Sequence, residues 1–222
     1  MTRVLIVDDQ PLIRQAVADI LAGCDDITVV AQAADGREAI AGAGELRPDV
    51  VVMDIRMPEI DGIAATAEIC ADLDLVDTKV LILTTFEEDE YLVAALRAGA
   101  SGFIGKGAEP EEIVRAVRAV HAGDALLSPA ATRALIDRFV SPAGPSEAAP
   151  TSPALQSLTE REQQVLLMVA KGRTNQDIAD TLVISPHTAK THVNRIMTKV
   201  HAHDRAQLVI LAYESGLLRP GE

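Results

Sequence analysis

Tryptophan is absent from this 222-residue chain, and three phenylalanines and two tyrosines are its only other aromatics. So few rings exclude an aromatic core and argue against stacked-sugar or aromatic-cage sites. No apolar run approaches the roughly 18 residues of a membrane helix. The first such run, residues 4–7, stops at Asp8-Asp9 and is too short for a signal-peptide core, so no membrane is expected and the cytoplasm is the default location. Cysteine is also scarce. Cys24 and Cys70 sit in helical apolar patterns without CxxC spacing, which favours reduced core thiols over a disulfide or metal pair. Basic charge is short as well: 20 Lys and Arg stand against 33 Asp and Glu, a net charge of −13. Taken whole, that total argues against nucleic acid. The 48% hydrophobic content is ordinary, and the length suits one large or two small domains.

The chain divides at residues 141–153, SPAGPSEAAPTSP, where four prolines forbid a helix or a central strand. The expected organisation is a first domain over 1–125, a helix and Pro/Ala/Ser-rich linker over 126–154, and a second domain over 155–222. Charge follows this division. Residues 1–125 hold 10 Lys and Arg against 24 Asp and Glu, and residues 151–222 hold 8 against 7. The acidity therefore belongs to the first domain, which should repel DNA.

Within the first domain, short β-branched runs at 4–7, 27–31, 50–53, 80–84 and 102–104 alternate with helical patterns at about 11–22, 36–44, 61–71, 88–98 and 109–122. This alternation predicts an α/β fold, a parallel sheet with helices on both faces. In such sheets ligands bind at the carboxyl ends of the strands. There the sequence places Asp8 and Asp9, Asp54, Thr84-Thr85 and Lys106. Three carboxylates on one rim repel and need a countercharge. A hard divalent cation such as Mg²⁺ supplies it, and Lys106 and Thr84 are placed to meet the oxygens of a phosphoryl group. An aspartate in that company is equipped to accept phosphate. Each piece alone has a plainer explanation: a solvated turn, a surface lysine, a strand end.

VLIVDDQPLIRQ, VVVMDIRMPEIDG, LILTTF and ASGFIGKG together resemble the receiver domain of two-component response regulators, over about residues 3–122. The resemblance implies a (βα)5 flavodoxin-like fold and phosphorylation of Asp54 by a sensor histidine kinase. It implies Mg²⁺ held by Asp9 directly, Asp8 through water, Asp54 and the Arg56 backbone carbonyl. Thr84, Phe103 and Lys106 match the switch positions: hydroxyl and ammonium engage the phosphoryl group, and the aromatic rotates inward. Pro58 and Gly62 fit the loop after Asp54, with proline fixing φ and glycine permitting a turn. Arg56 and Phe86 are bulky and are expected to hinder hydrolytic water.

The second domain predicts four short helices. Thr159 with Glu162 is a capping box that starts one near 160, and Gly172 ends it. A second spans Asn175–Leu182. Ser185-Pro186 opens a third. On that third helix Ala189, Val193, Ile196, Met197 and Val200 share one face. His187, Lys190, Thr191, Asn194 and Thr198 share the other. No acid occurs between Asp180 and Asp204, a local pattern that suits a polyanion partner. A solvated surface helix is the plainer alternative.

LTEREQQVLLMVAKGRTNQDIADTLVISPHTAKTHVNRIMTKV resembles the helix-turn-helix domain of the LuxR/NarL/FixJ class. This implies double-stranded DNA as partner, a homodimer when active, and contact with RNA polymerase. Lys190, Thr191 and Asn194 would face the major groove, and Thr188, His192, Arg195 and Lys199 would lie nearer phosphates or helix margins. The last helix, 205–215, carries two apolar stripes. The stripe of Ala206, Val209, Ile210 and Tyr213 is expected to dimerise, and Leu208, Leu211 and Ala212 form the other. His201 and His203 lack further ligands for a metal. Two other readings remain. One is an enzyme using Asp54 as a phosphatase nucleophile, although Arg56 stands where the acid/base aspartate of such enzymes belongs. The other is a DNA binder that works without phosphorylation.

Overall fold

The computed structural model describes residues 1–85, 89–123, 153–200, 202 and 205–218. They fall into two compact units, divided between Ala134 and Leu135. The helix and proline-rich stretch expected over 126–154 lie outside the described residues up to 152, as do Phe86, His201 and His203.

In the first unit five strands alternate with five helices: β1 (Thr2–Val7), α1 (Pro11–Ala22), β2 (Ile27–Ala33), α2 (Gly36–Leu46), β3 (Val50–Asp54), α3 (Gly62–Ala71), β4 (Lys79–Thr84), α4 (Asp89–Ala98), β5 (Gly102–Gly105) and α5 (Pro110–His121). A 3₁₀ turn at Leu73–Leu75, absent from the sequence reading, precedes β4. All pairings are parallel, in the order β2-β1-β3-β4-β5. Burial on both faces explains why the strands read as unbroken apolar runs. One face of the sheet, with Val4, Ile6, Val50, Val52, Leu81 and Leu83, packs on α1 and α5 through Val17, Leu21, Ile113, Val117 and Val120. Leu5, Val51, Met53 and Ile82, on alternate positions, are buried too. Arg118 of α5 donates two hydrogen bonds to Asp26, at 2.8 and 2.7 Å, and ties that helix to the turn before β2.

This strand order puts β1 and β3 side by side while their following helices go to opposite faces, which opens a crevice at their carboxyl ends. The candidate site residues of the first unit stand there.

The second unit is helical: α6 (Pro153–Gln156), α7 (Glu160–Ala170), α8 (Asn175–Leu182), α9 (Pro186–Val200) and α10 (Arg205–Glu214). Its first turn begins inside the segment expected to be linker. Thr159 and Glu162 form the capping box anticipated for α7, and Thr174 and Asp177 form a second one for α8. Gly172 ends α7 with φ +75. The turn between α8 and α9 is made by Val183, left-handed at φ 55, ψ 49, a conformation unusual for a β-branched residue. Ser185 caps α9 by accepting the Thr188 amide at 3.0 Å. Val165, Leu166, Val169, Ile178, Ala189, Val193, Ile196, Leu208 and Ala212 make the core.

Candidate phosphoacceptor site and nucleic-acid interface

At the crevice, β1 delivers Asp8 and Asp9 and β3 ends in Asp54. The Asp8 amide donates to the Ala33 carbonyl at 3.2 Å, and Asp8 Oδ1 accepts the Gln10 amide at 2.8 Å. Arg14 on the first turns of α1 donates from Nη1 to the Asp8 carbonyl at 2.5 Å. Asp8 is thus fixed and buried, and Asp9 is exposed. Asp54, also buried, has its Oδ1 held by the Ile55 amide at 2.8 Å. One oxygen from each of the three carboxylates lies within 4.8 Å of the others.

Lys106 follows β5, and its amide donates to the Thr84 carbonyl at 2.8 Å. Its Nζ stands 2.8 Å from both Asp8 Oδ2 and Asp54 Oδ2. Burial pushes the Asp54 carboxyl above the ordinary carboxylate range; the Lys106 ammonium opposes this, and the Asp8 charge adds to it. Burial also works against the Lys106 charge, but the hydrogen bonds with Asp54 and Asp8 outweigh it and hold the ammonium above its usual value. One ammonium against three carboxylates leaves a local negative excess. Asp8 Oδ2 is fully buried, with the Lys106 ammonium 2.8 Å from it. A clustered all-oxygen donor set, one member of it exposed, with excess negative charge fits Mg²⁺.

Of the other expected residues, Thr84 ends β4 on the same rim, with its hydroxyl turned to the Thr85 carbonyl at 3.3 Å. Phe103 is 2% exposed and pairs with Ile82 along the strand, so the aromatic is already inside rather than at the rim. Arg56 is exposed on the loop after Asp54.

Gly62 corrects a sequence expectation. It is not needed for a left-handed turn. A Cβ there would lie 1.9 Å from the Asp54 carbonyl oxygen, so it is close approach that requires glycine. The Gly62 amide donates to the Ile55 carbonyl at 2.9 Å. Gly36 plays the matching part on α2, where a Cβ would meet the Ile60 carbonyl at 2.4 Å. Arg37 and Glu59 face each other nearby at 3.4 Å, both exposed. The loop after Asp54 is thus gripped from α2 and α3.

In the second unit α9 divides as the sequence implied. Ala189, Val193 and Ile196 are buried, with Met197 and Val200 packed beside them. His187, Thr188, Lys190, Asn194, Arg195, Thr198 and Lys199 are exposed, and Thr191 and His192 half-buried. A shallow groove of about 400 Å³ is lined by Thr191, Asn194, Arg195, Thr198 and Lys199. The hydroxyl of Thr191 donates to the His187 carbonyl at 2.9 Å. Lys199 pairs with Glu162 at 2.7 Å, a contact 37 residues apart that no spacing rule exposes.

The two stripes of α10 are not separate surfaces. Leu208 and Ala212 are fully buried, and Val209, Leu211 and Tyr213 are half-buried against the same core. Ile210 is 6% exposed and presents almost nothing to a partner. The Ala206 side chain lies outside the described ones. A short helix closing a small core has to use most of its circumference, which is why the pattern looked like two faces.

Residues 4–118 match the family model described as the response regulator receiver domain, and residues 156–212 match that of bacterial regulatory proteins, luxR family. Over 217 residues the chain is 38% identical to a protein named as an uncharacterized transcriptional regulatory protein, YxjL of Bacillus subtilis (strain 168), covering 98% of this chain and 97% of that one. It is likewise 38% identical to the response regulator protein VraR of Staphylococcus aureus (strain COL), over 98% of this chain and 99% of that one. A crystal structure of the response regulator ChrA in a heme-sensing two-component system matches with 35% identity and a TM-score of 0.52, over 98% of each chain.

Proposed function

Because this chain belongs to the response regulators that join a receiver domain to a luxR-family DNA-binding domain, and acts as a transcription regulator, we propose that Asp54 is its phosphoacceptor and Lys190 with its neighbours its DNA reader. The observation that carries the first half is the convergence of Asp8, Asp9 and Asp54 with Lys106 at 2.8 Å from two of them.

The Asp54 carboxylate attacks the phosphorus of a phosphohistidine on the partner kinase; the N–P bond breaks and the imidazole regains a proton. Asp8, Asp9, Asp54 and the Arg56 carbonyl would hold Mg²⁺, which supplies positive charge to the phosphoryl oxygens. Lys106 leaves its carboxylate partners to meet the new phosphoryl group, and Thr84 turns its hydroxyl from the Thr85 carbonyl to another oxygen of it. Both movements change the β4–α4 and β5 edge, where Phe103 reports by packing alone. The chain is a switch and not a turnover enzyme: Arg56 supplies no acid/base carboxylate beside the acceptor.

On DNA, α9 enters the major groove with Lys190, Thr191 and Asn194 toward base edges, and Thr188, His192 and Arg195 toward the backbone. A homodimer, with half-buried Val209 and Tyr213 at its contact, reads two half-sites about one helical turn apart and recruits RNA polymerase in the cytoplasm.

Mg²⁺-dependent labelling by acetyl phosphate, measured beside DNA affinity, tests both halves. Asp54→Ala is expected to lose labelling and phosphorylation-dependent affinity while keeping basal binding. Normal activation of that variant by the cognate kinase overturns the acceptor assignment. Lys190→Ala is expected to weaken DNA binding with labelling intact.

A further inference from the structure

The last cation of the reading helix has a partner inside the protein. Lys199 Nζ lies 2.7 Å from Glu162 Oε2 and 3.4 Å from the Ser157 carbonyl. The same Oε2 accepts the Thr159 amide at 2.8 Å and the Thr159 hydroxyl at 2.9 Å. Glu162 is 6% exposed. A carboxylate so enclosed is costly without a countercharge, and a capping box alone brings only neutral donors. Lys199 supplies the charge. Nine residues separate Lys190 from Lys199, about 13 Å along the helix at 1.5 Å per residue. The pair therefore holds the end of α9 away from its Ser185 cap.

We infer that Glu162 and Lys199 are positioning residues for DNA recognition: together they fix the rotation and slide of α9 on α7, and neither touches DNA. This rests on the reading that α9 enters the major groove, and it removes Lys199 from the phosphate contacts suggested by the sequence. Two other cations of this unit are tied to neutral acceptors. Arg161 donates to the Leu182 carbonyl at 3.3 Å, and Arg205 donates to the Arg173 carbonyl and to Asn175 Oδ1. Of these ties only the Lys199–Glu162 pair offsets a positive charge that composition credits to DNA.

Salt dependence separates a pin from a phosphate contact, because each neutralised phosphate adds about 0.9 to the slope of log affinity on log salt. The full chain is titrated over a KCl series with two duplexes. One is selected by the wild type from a random pool, and the other is a random sequence of equal length. For Glu162→Gln, which keeps a capping amide, affinity for the selected duplex is expected to fall about tenfold, with the slope unchanged and the random duplex unaffected. Lys199→Met is expected to do the same, Lys199→Arg to restore wild-type binding, and the Glu162→Gln/Lys199→Met double variant to be no worse than either single one. If Glu162→Gln instead tightens binding to both duplexes and steepens the slope, Lys199 is a phosphate contact that Glu162 restrains, and the inference falls. Loss of about one unit of slope in Lys199→Met overturns it too. Failure of the wild type to select any duplex overturns the DNA-reading assignment itself, and the pair's role with it.

Discussion

Gly62 packs so tightly against Asp54 that a Cβ at position 62 would sit 1.9 Å from the Asp54 carbonyl oxygen. The obstructing atom is backbone of the proposed acceptor, so relief requires moving Asp54. Gly62→Ala is expected to destabilise the first unit by about 3 kcal/mol and to cut acetyl phosphate labelling in the fraction still folded. Urea denaturation and labelling check this. Gly44, with nothing within 4 Å of its would-be Cβ on α2, is the contrast: Gly44→Ala should stabilise by up to about 1 kcal/mol.

The buried Asp54 carboxyl, the proposed acceptor, costs the fold stability. Its carboxyl is held above the ordinary range, chiefly by burial. The folded state therefore binds this proton more tightly than the unfolded state, and the group's contribution to stability falls as pH rises through that raised value. Asp54→Asn should stabilise the chain at neutral pH by about 1 kcal/mol and flatten that part of the pH profile. Millimolar Mg²⁺ should raise the denaturation midpoint of the wild type more than that of the variant.

Glu162 has the opposite sign. Burial works to raise its pKa, but the hydrogen bonds from Lys199 and Thr159 prevail and bring it down to about 2. Its stabilisation is present above the unfolded value of 4.5 and is lost as pH falls from 4.5 toward 2. Amide exchange in α7 and α9, followed through that window, should show protection draining away in the wild type and a flatter course in Glu162→Gln. At neutral pH the variant should lose about 2 kcal/mol, less than a fully buried pair because Lys199 is partly solvated.

Val183 holds a left-handed backbone at φ 55 while 90% exposed. The strain is not repaid by burial. Val183→Gly should stabilise the second unit by about 1 kcal/mol, measurable as a higher melting temperature.

Arg56 stands exposed on the loop after Asp54. Arg56→Ala should shorten the phosphorylated half-life, read by loss of label after removal of acetyl phosphate. An unchanged half-life removes Arg56 from control of hydrolysis.

The sequence by itself determined the element order, because strand runs buried on both faces and helices buried on one leave different periodicities. It determined the rim as well, since Asp8, Asp9, Asp54, Thr84 and Lys106 all follow strand ends and parallel topology sends every strand end to one edge. Local caps were legible for the same reason: Thr159 with Glu162 and Ser185 with Pro186 act within four residues. Only the tertiary structure decided what depends on distant packing. Gly62 reads as a turn glycine until the carbonyl it must pass is in place. Lys199 reads as one more cation on a DNA-facing helix until α7 brings Glu162 to it across 37 residues. The stripes of α10 read as two faces until a small core closes over most of both. In each case composition and period fix what a residue can do, and the neighbour that arrives through folding selects which of those things it does.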